Sequence, residues 1–156
     1  MMSAGWRRPG RMLLLAWGLV LVAGCGSGGP PLLGGAIKVD PGSNPDLTGR
    51  PSPVVVRVYE LKSLAAFNGA DFFSLYEKEQ ETLGADLIGR EEYHLRPGET
   101  RPYQRQLQPD TKFIGVVAAF RDIETARWRQ SAAVPTKRRP TLTVGVEAQA
   151  VTVVIQ

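Results

Sequence analysis

Residues 54–61 carry the clearest alternation in the chain: Val54, Val56 and Val58 fall on one side, and Val55, Arg57, Tyr59 and Leu61 on the other. A period of two is the signature of a strand, and apolar residues on both faces place this one inside a sheet. Residues 113–120 are also apolar on both faces and predict a second central strand. Residues 87–95 put Leu87, Gly89, Glu91, Tyr93 and Leu95 on one face, and Pro97-Gly98 turns the chain into residues 100–107. Pro102 lacks a ladder donor, which assigns that segment to a sheet edge. Residues 36–40 and 128–134 predict two more strands. Residues 141–147 turn Leu142, Val144 and Val146 inward, and Val151, Val153 and Ile155 repeat the pattern in the last strand.

The period changes once. Residues 63–67 predict a short helical turn and 71–83 a longer helix, with Asp71 as N-cap, Phe72, Leu75, Tyr76 and Leu83 near one face, and Gly84 at its end. Glu77, Glu79 and Glu81, interleaved with Lys78 and Gln80, read as its solvated side. About eight short strands with one helical insertion predict a mainly β fold, a two-sheet sandwich. Residues 41–53 (PGSNPDLTGRPSP) interrupt this pattern with a connection too rich in proline and glycine for a helix or a central strand.

The N-terminus follows another logic. Arg7, Arg8 and Arg11 precede an apolar run over 12–22, and Val22-Ala23-Gly24 places small residues before Cys25, the only cysteine. The run falls short of the ~20 residues a membrane-spanning helix needs, and has the form of a secretory signal. A lone cysteine forms no internal disulfide. Its position resembles the lipobox of bacterial lipoproteins, which implies cleavage after Gly24 and lipid on the Cys25 thiol. Gly26 follows, where aspartate is the usual inner-membrane retention signal in enterobacteria, so outer-membrane sorting is expected. The domains expected are therefore a signal at 1–24, a flexible lipidated tether at 25–35 and a sandwich at 36–156.

Charge and chemistry narrow the function. The net charge of +4 includes three signal arginines; the mature chain has sixteen basic against fifteen acidic residues, about +1. Nothing there points to nucleic acid. The Lys137-Arg138-Arg139 cluster reads as a solvated turn. His94 is the only histidine, so neither a zinc site nor a catalytic triad can be assembled around it, and it reads as a surface strand residue. Glu91 and Glu92 are adjacent and point to opposite faces of a strand. Asp40, Asn44 and Asp46 match no calcium-loop spacing. No enzyme activity, metal, cofactor or small-molecule substrate is expected. Long connections in compact sandwiches are often functional, which makes 41–53 the leading binding segment. A periplasmic ligand- or glycan-binding lipoprotein, using an open sandwich edge or the aromatics Tyr103 and Trp128, is the alternative.

Several segments taken in order are similar to one family. They are the lipobox, Asn44-Pro45-Asp46, Gly49-Arg50-Pro51-Ser52-Pro53, Arg57-Val58-Tyr59-Glu60-Leu61, Phe67 and Ala70-Asp71-Phe72-Phe73. Gly115-Val116-Val117-Ala118-Ala119-Phe120-Arg121-Asp122 and Trp128 complete the set. The chain resembles the TssJ family, outer-membrane lipoproteins of the bacterial type VI secretion system. That resemblance implies a transthyretin-like sandwich and a periplasmic role as anchor of the trans-envelope complex. It also implies binding to the periplasmic domain of TssM, with TssL as an indirect neighbour, through the loop between the first two strands. The contact residues expected are Asn44, Pro45, Asp46, Leu47, Thr48, Gly49 and Arg50: Leu47 as the apolar contact, and Asn44, Asp46 and Arg50 as polar ones. Tyr59, Phe120 and Trp128 match the family as well, but core packing accounts for them.

Overall fold

A computed structural model of the chain describes residues 29–136 and 139–156. The expected signal, Gly24, Cys25 and the start of the tether lie outside these residues, as do Lys137 and Arg138 of the basic cluster. Two four-stranded sheets form the sandwich, the first ordered β4-β1-β7-β8 and the second β3-β2-β5-β6. The strands are β1 Leu32–Val39, β2 Val54–Leu61, β3 Leu87–Leu95, β4 Thr100–Gln106, β5 Phe113–Ala119, β6 Arg129–Ala133, β7 Thr141–Val146 and β8 Val151–Ile155. Among the described residues the β1–β7 ladder is parallel and the other strand ladders are antiparallel. As the alternation requires, β2 and β5 are central and β4 is an edge.

The strand β1 begins at Leu32, four residues before the expected start, so Leu32–Gly35 belong to the sandwich and not to the tether. Leu33 is fully buried. Gly35 has φ 150°, and a side chain there would collide with the carbonyl oxygen of Leu142 on β7. This glycine permits a close approach of two backbones, which composition alone reads as flexibility.

Two cores explain why the central strands are apolar on both faces. Between the sheets pack Leu33, Ile37, Val54, Val56, Val58, Ile114, Val116, Leu142 and Val144. On the outer face of the second sheet, Tyr59, Leu61 and Val117 pack under Phe67, Leu75 and Leu83. The helical insertion is thus a third layer, made of α1 Ala65–Gly69, α2 Phe72–Glu77, α3 Glu79–Leu83 and a 3-10 turn at Gly84–Asp86. Gly115 leaves room for the Phe67 ring, since a Cβ there would lie 2.7 Å from its Cζ.

Asp71 caps α2 as expected, its carboxylate accepting from the Ser74 amide at 3.0 Å. The expected single helix 71–83 is broken at Lys78, whose backbone leaves helical geometry (φ −128°, ψ 38°). The break turns Glu79 toward the sheet and overturns its assignment to the solvated side. Its carboxylate accepts from the Tyr59 hydroxyl at 3.2 Å and pairs with Arg90 at 2.9 Å and Arg57 at 3.5 Å. Arg57 also donates to Glu92 at 2.6 Å, bolting the helical layer to β2 and β3.

The other carboxylate of the Glu91–Glu92 pair faces inward. Glu91 meets Arg105 of β4 at 2.5 Å and accepts from the Tyr93 hydroxyl at 2.7 Å. The Arg105 guanidinium also pairs with Glu60, only 1% exposed, which accepts from the Gln108 amide at 3.0 Å and the Thr111 hydroxyl at 2.7 Å. This cluster ties the two sheets together. His94 is exposed beside Glu92, as its strand position implies.

Strand directions divide the connections between two ends. The loops β1–β2, β3–β4, β5–β6 and β7–β8 lie at one end. Residues 29–31 and the β4–β5 and β6–β7 connections lie at the other, where the helical insertion also leaves β2 and rejoins β3 after covering the outer face of the second sheet. An eight-residue strand at about 3.3 Å per residue separates the ends by roughly 25 Å.

Candidate partner-binding surface

The loop between β1 and β2 is held in a fixed shape by its own polar atoms. Asp46 Oδ1 accepts from the Thr48 amide (2.8 Å), the Thr48 hydroxyl (2.7 Å) and the Arg50 amide (3.0 Å), while Oδ2 accepts from Arg50 Nε (3.0 Å). The backbone closes the turn, with the Asp46 amide donating to the Arg50 carbonyl and the Gly49 amide to the Asp46 carbonyl, both at 2.8 Å. Gly49, at φ 82°, takes the left-handed conformation that this closure needs. These donors favour the charged carboxylate, the Thr48 hydroxyl most, and draw the Asp46 pKa down to about 2. The aspartate is therefore a brace for the turn. It lifts Leu47 fully into solvent, one of three exposed large hydrophobic side chains among the described residues, with Phe73 and Val154.

Asn44 departs from its expected role as a polar contact. It is only 3% exposed and its backbone has φ 49°. Its side-chain amide donates to the Pro53 carbonyl at 2.7 Å, and its Oδ1 accepts from the Arg121 amide at 2.7 Å. Its own amide donates to the Ala148 carbonyl at 2.9 Å. One residue thereby pins both ends of the β1–β2 loop to the β5–β6 and β7–β8 connections. Asparagine suits the position because it tolerates left-handed backbone and offers a donor and an acceptor on one short side chain.

The three connections enclose a groove of about 560 Å³ lined by Pro45, Asp46, Leu47, Thr48, Arg121, Asp122 and Gln149. Asp122 is held by Thr125, accepting from its hydroxyl at 2.5 Å and its amide at 3.3 Å, and these bonds lower its pKa. Gln149 reaches across to Asp122 at 3.4 Å. Of the expected contact residues, Pro45, Asp46, Leu47 and Thr48 line the groove, and Arg50 flanks it with its side chain largely in solvent. Arg121, Asp122 and Gln149 were not singled out by sequence as contacts. The Asp122–Thr125 spacing signals a capped turn, but no local pattern brings that turn beside residue 46.

The aromatics proposed for a ligand site are otherwise engaged. Tyr103 is buried between the sheets. Trp128 is half-buried, packed edge-on against Phe72 at 5.3 Å, with the Arg129 guanidinium 4.7 Å over its ring. Tyr59 and Phe120 are core residues, as their sequence context implies.

A search of curated protein sequences returns no match. Among protein families, residues 33–149 match T6SS-SciN, described as type VI secretion lipoprotein, VasD, EvfM and TssJ. Among solved structures, the T6SS lipoprotein TssJ1 from Pseudomonas aeruginosa is 40% identical with a TM-score of 0.78, over 81% of this chain and 97% of that one. Serratia marcescens Lip, a membrane-bound component of the type VI secretion system, is 25% identical with a TM-score of 0.74, over 80% and 98% of the two chains. A chain in the structure described as the T6SS protein TssM C-terminal domain from EAEC matches at 26% identity and a TM-score of 0.65, over 79% and 97%. The family match covers most of the sandwich, and the strand topology, helical layer and loop end are those of one continuous domain; the chain belongs to the TssJ family of type VI secretion lipoproteins.

Proposed function

We propose that this chain is a non-catalytic outer-membrane lipoprotein that anchors the type VI membrane complex from the periplasmic face. Cleavage after Gly24 and lipidation of Cys25 fix one end, and the groove at the other end binds the periplasmic domain of TssM, placing TssL in the same assembly as an indirect neighbour. The observation that carries this reading is the display of Leu47. An exposed leucine on a turn braced by Asp46, beside a groove built from three pinned loops, is a surface already ordered before its partner arrives. Such preorganisation lowers the entropy lost on docking. Residues 29–31 enter the sandwich at the opposite end, so a membrane tether there leaves the groove facing away from the bilayer.

Burying a leucine side chain contributes about 1.5–3 kcal/mol, which corresponds to roughly a 10- to 100-fold change in affinity. Leu47→Asp is therefore expected to weaken capture of the TssM periplasmic domain at least about 10-fold in calorimetry while leaving the thermal melt unchanged. Undiminished binding by that variant rules out the groove as the partner site. Cys25→Ser is expected to release the domain from the outer-membrane fraction, and normal fractionation would refute the lipid anchor.

A further inference from the structure

The chain enters the sandwich between two basic connections. The Pro30 carbonyl accepts from the Gln106 side chain and the Pro31 carbonyl from the Leu107 amide at 3.1 Å, so the chain is fastened to β4 before β1 begins. On the other side of β1, the Gly34 amide donates to the Pro140 carbonyl at 3.3 Å. The β4–β5 and β6–β7 connections therefore flank the point of entry, as the sheet order β4-β1-β7 requires.

Fastening residues 30 and 31 shortens the tether. Four peptide steps lead from Cys25 to Gly29, the first described residue, and at 3.3–3.6 Å each they span at most about 14 Å. With lipid on Cys25, this end of the domain stays beside the headgroups and can bring its charges within the ~8 Å screening length. The same tether leaves the domain free to lean over, so length alone does not choose the face that meets the bilayer.

Charge does choose. In the sequence, the connections at this end, 107–112 and 134–140, carry four basic residues against one acidic. Of these, Lys112 and Arg139 are described and exposed. Among the described residues neither has a salt-bridge partner, whereas Lys62 beside them is matched by Asp110 at 3.4 Å. Asp86, half-buried in the 3-10 turn, is the other carboxylate here. Lys112 is held in place by its backbone, its amide donating to the Leu61 carbonyl at 3.0 Å and its carbonyl accepting from the Val134 amide at 2.8 Å. The connections at the groove end, 40–53, 96–99, 120–128 and 147–150, carry six acidic residues against four basic. An anionic surface attracts the first end and repels the second.

We infer that the entry end of the sandwich docks on anionic phospholipid headgroups through Lys112 and Arg139, holding the domain upright with its groove directed away from the bilayer. The inference rests on the lipid anchor proposed above and adds a second contact to it. Each Lys or Arg brought against an anionic leaflet favours contact about 5-fold. Two such residues on a free protein bind lipid weakly. On a tethered chain the contact is intramolecular, and the combined factor of about 25 is enough to set the orientation.

The test uses the lipidated mature chain in phosphatidylethanolamine vesicles with and without phosphatidylglycerol. Cys25 is the only cysteine and lipid consumes its thiol, so a cysteine introduced elsewhere takes a label alone. A fluorophore is placed at Gln108→Cys, exposed at the entry end, or at Glu124→Cys, exposed at the groove end, and a nitroxide on the headgroups quenches it. Quenching at residue 108 is expected to rise several-fold with phosphatidylglycerol and to be lost in about 0.5 M salt, with residue 124 unquenched throughout. Lys112→Glu combined with Arg139→Glu is expected to return residue 108 to its level in neutral vesicles with an unchanged melt. Lys112→Arg combined with Arg139→Lys should keep the parent's response. Equal quenching at residue 108 in neutral and anionic vesicles, or no effect of the charge reversals, leaves the acyl tether as the sole contact and refutes docking. Quenching at residue 124 in anionic vesicles means that the domain lies flat, which also overturns it. A rise at residue 108 that needs the TssM periplasmic domain assigns the surface to that partner instead. If the chain floats with neither kind of vesicle, the lipid anchor falls and docking falls with it.

Discussion

Replacing Asn44 with alanine removes the residue that joins three loops. The Pro53 carbonyl and the Arg121 amide each lose a partner, at about 1–1.5 kcal/mol apiece for part-buried hydrogen bonds. Alanine must also hold φ near 49°, which costs it about 1 kcal/mol more than asparagine. The sum is roughly 3–4 kcal/mol, equivalent to about a 2 M fall in the urea midpoint for a domain of this size. Asn44→Gly removes the strain but not the lost bonds, so it should lie about 1 kcal/mol above alanine. Asn44→Asp keeps the acceptor for Arg121 but sets a second carboxylate oxygen against the Pro53 carbonyl, so its deficit should shrink as the pH falls and protonation restores a donor. Urea denaturation followed by circular dichroism gives all three values. A cost below about 1 kcal/mol for alanine, or a glycine variant no better than alanine, would refute the pinning argument.

Three further outcomes are expected. Gly35→Ala sets a Cβ against the Leu142 carbonyl across β1 and β7 and should cost more than about 3 kcal/mol or prevent folding; a melt within a few degrees of the parent would show that β1 can shift aside. Glu60→Ala strips partners from Arg105, the Gln108 amide and the Thr111 hydroxyl at a site 1% exposed, for about 3 kcal/mol, with Glu60→Gln intermediate; urea midpoints for the pair check the order. Asp46 has a folded pKa of about 2 against 3.8 for the free side chain, so its bracing of the turn is complete above the unfolded value and is lost as pH falls toward 2. The Thr48 and Arg50 amide resonances should then titrate with a midpoint near 2, and a midpoint near 3.8 would mean that the brace does not form in solution.

Sequence by itself determined the strands, because alternation is a local property. The two-faced β2 and β5, the proline edge of β4 and the inward valines of β7 and β8 follow from it directly. It also singled out the segment 41–53, since a run of prolines and glycines cannot join a ladder, whereas Leu47 was named within it through the family resemblance and its exposure came from the structure. The tertiary structure decided the rest. The interior or surface fate of a polar side chain depends on partners far along the chain: Asn44 is buried because Arg121 and Ala148 meet it there, and Glu79 turns inward because Tyr59, Arg57 and Arg90 await it. Gly34 and Gly35 read as tether until β7 is laid beside them. Arg121, Asp122 and Gln149 gain their place beside Leu47 only when the two sheets close, because local periodicity says which way a residue points and long-range packing says what it meets.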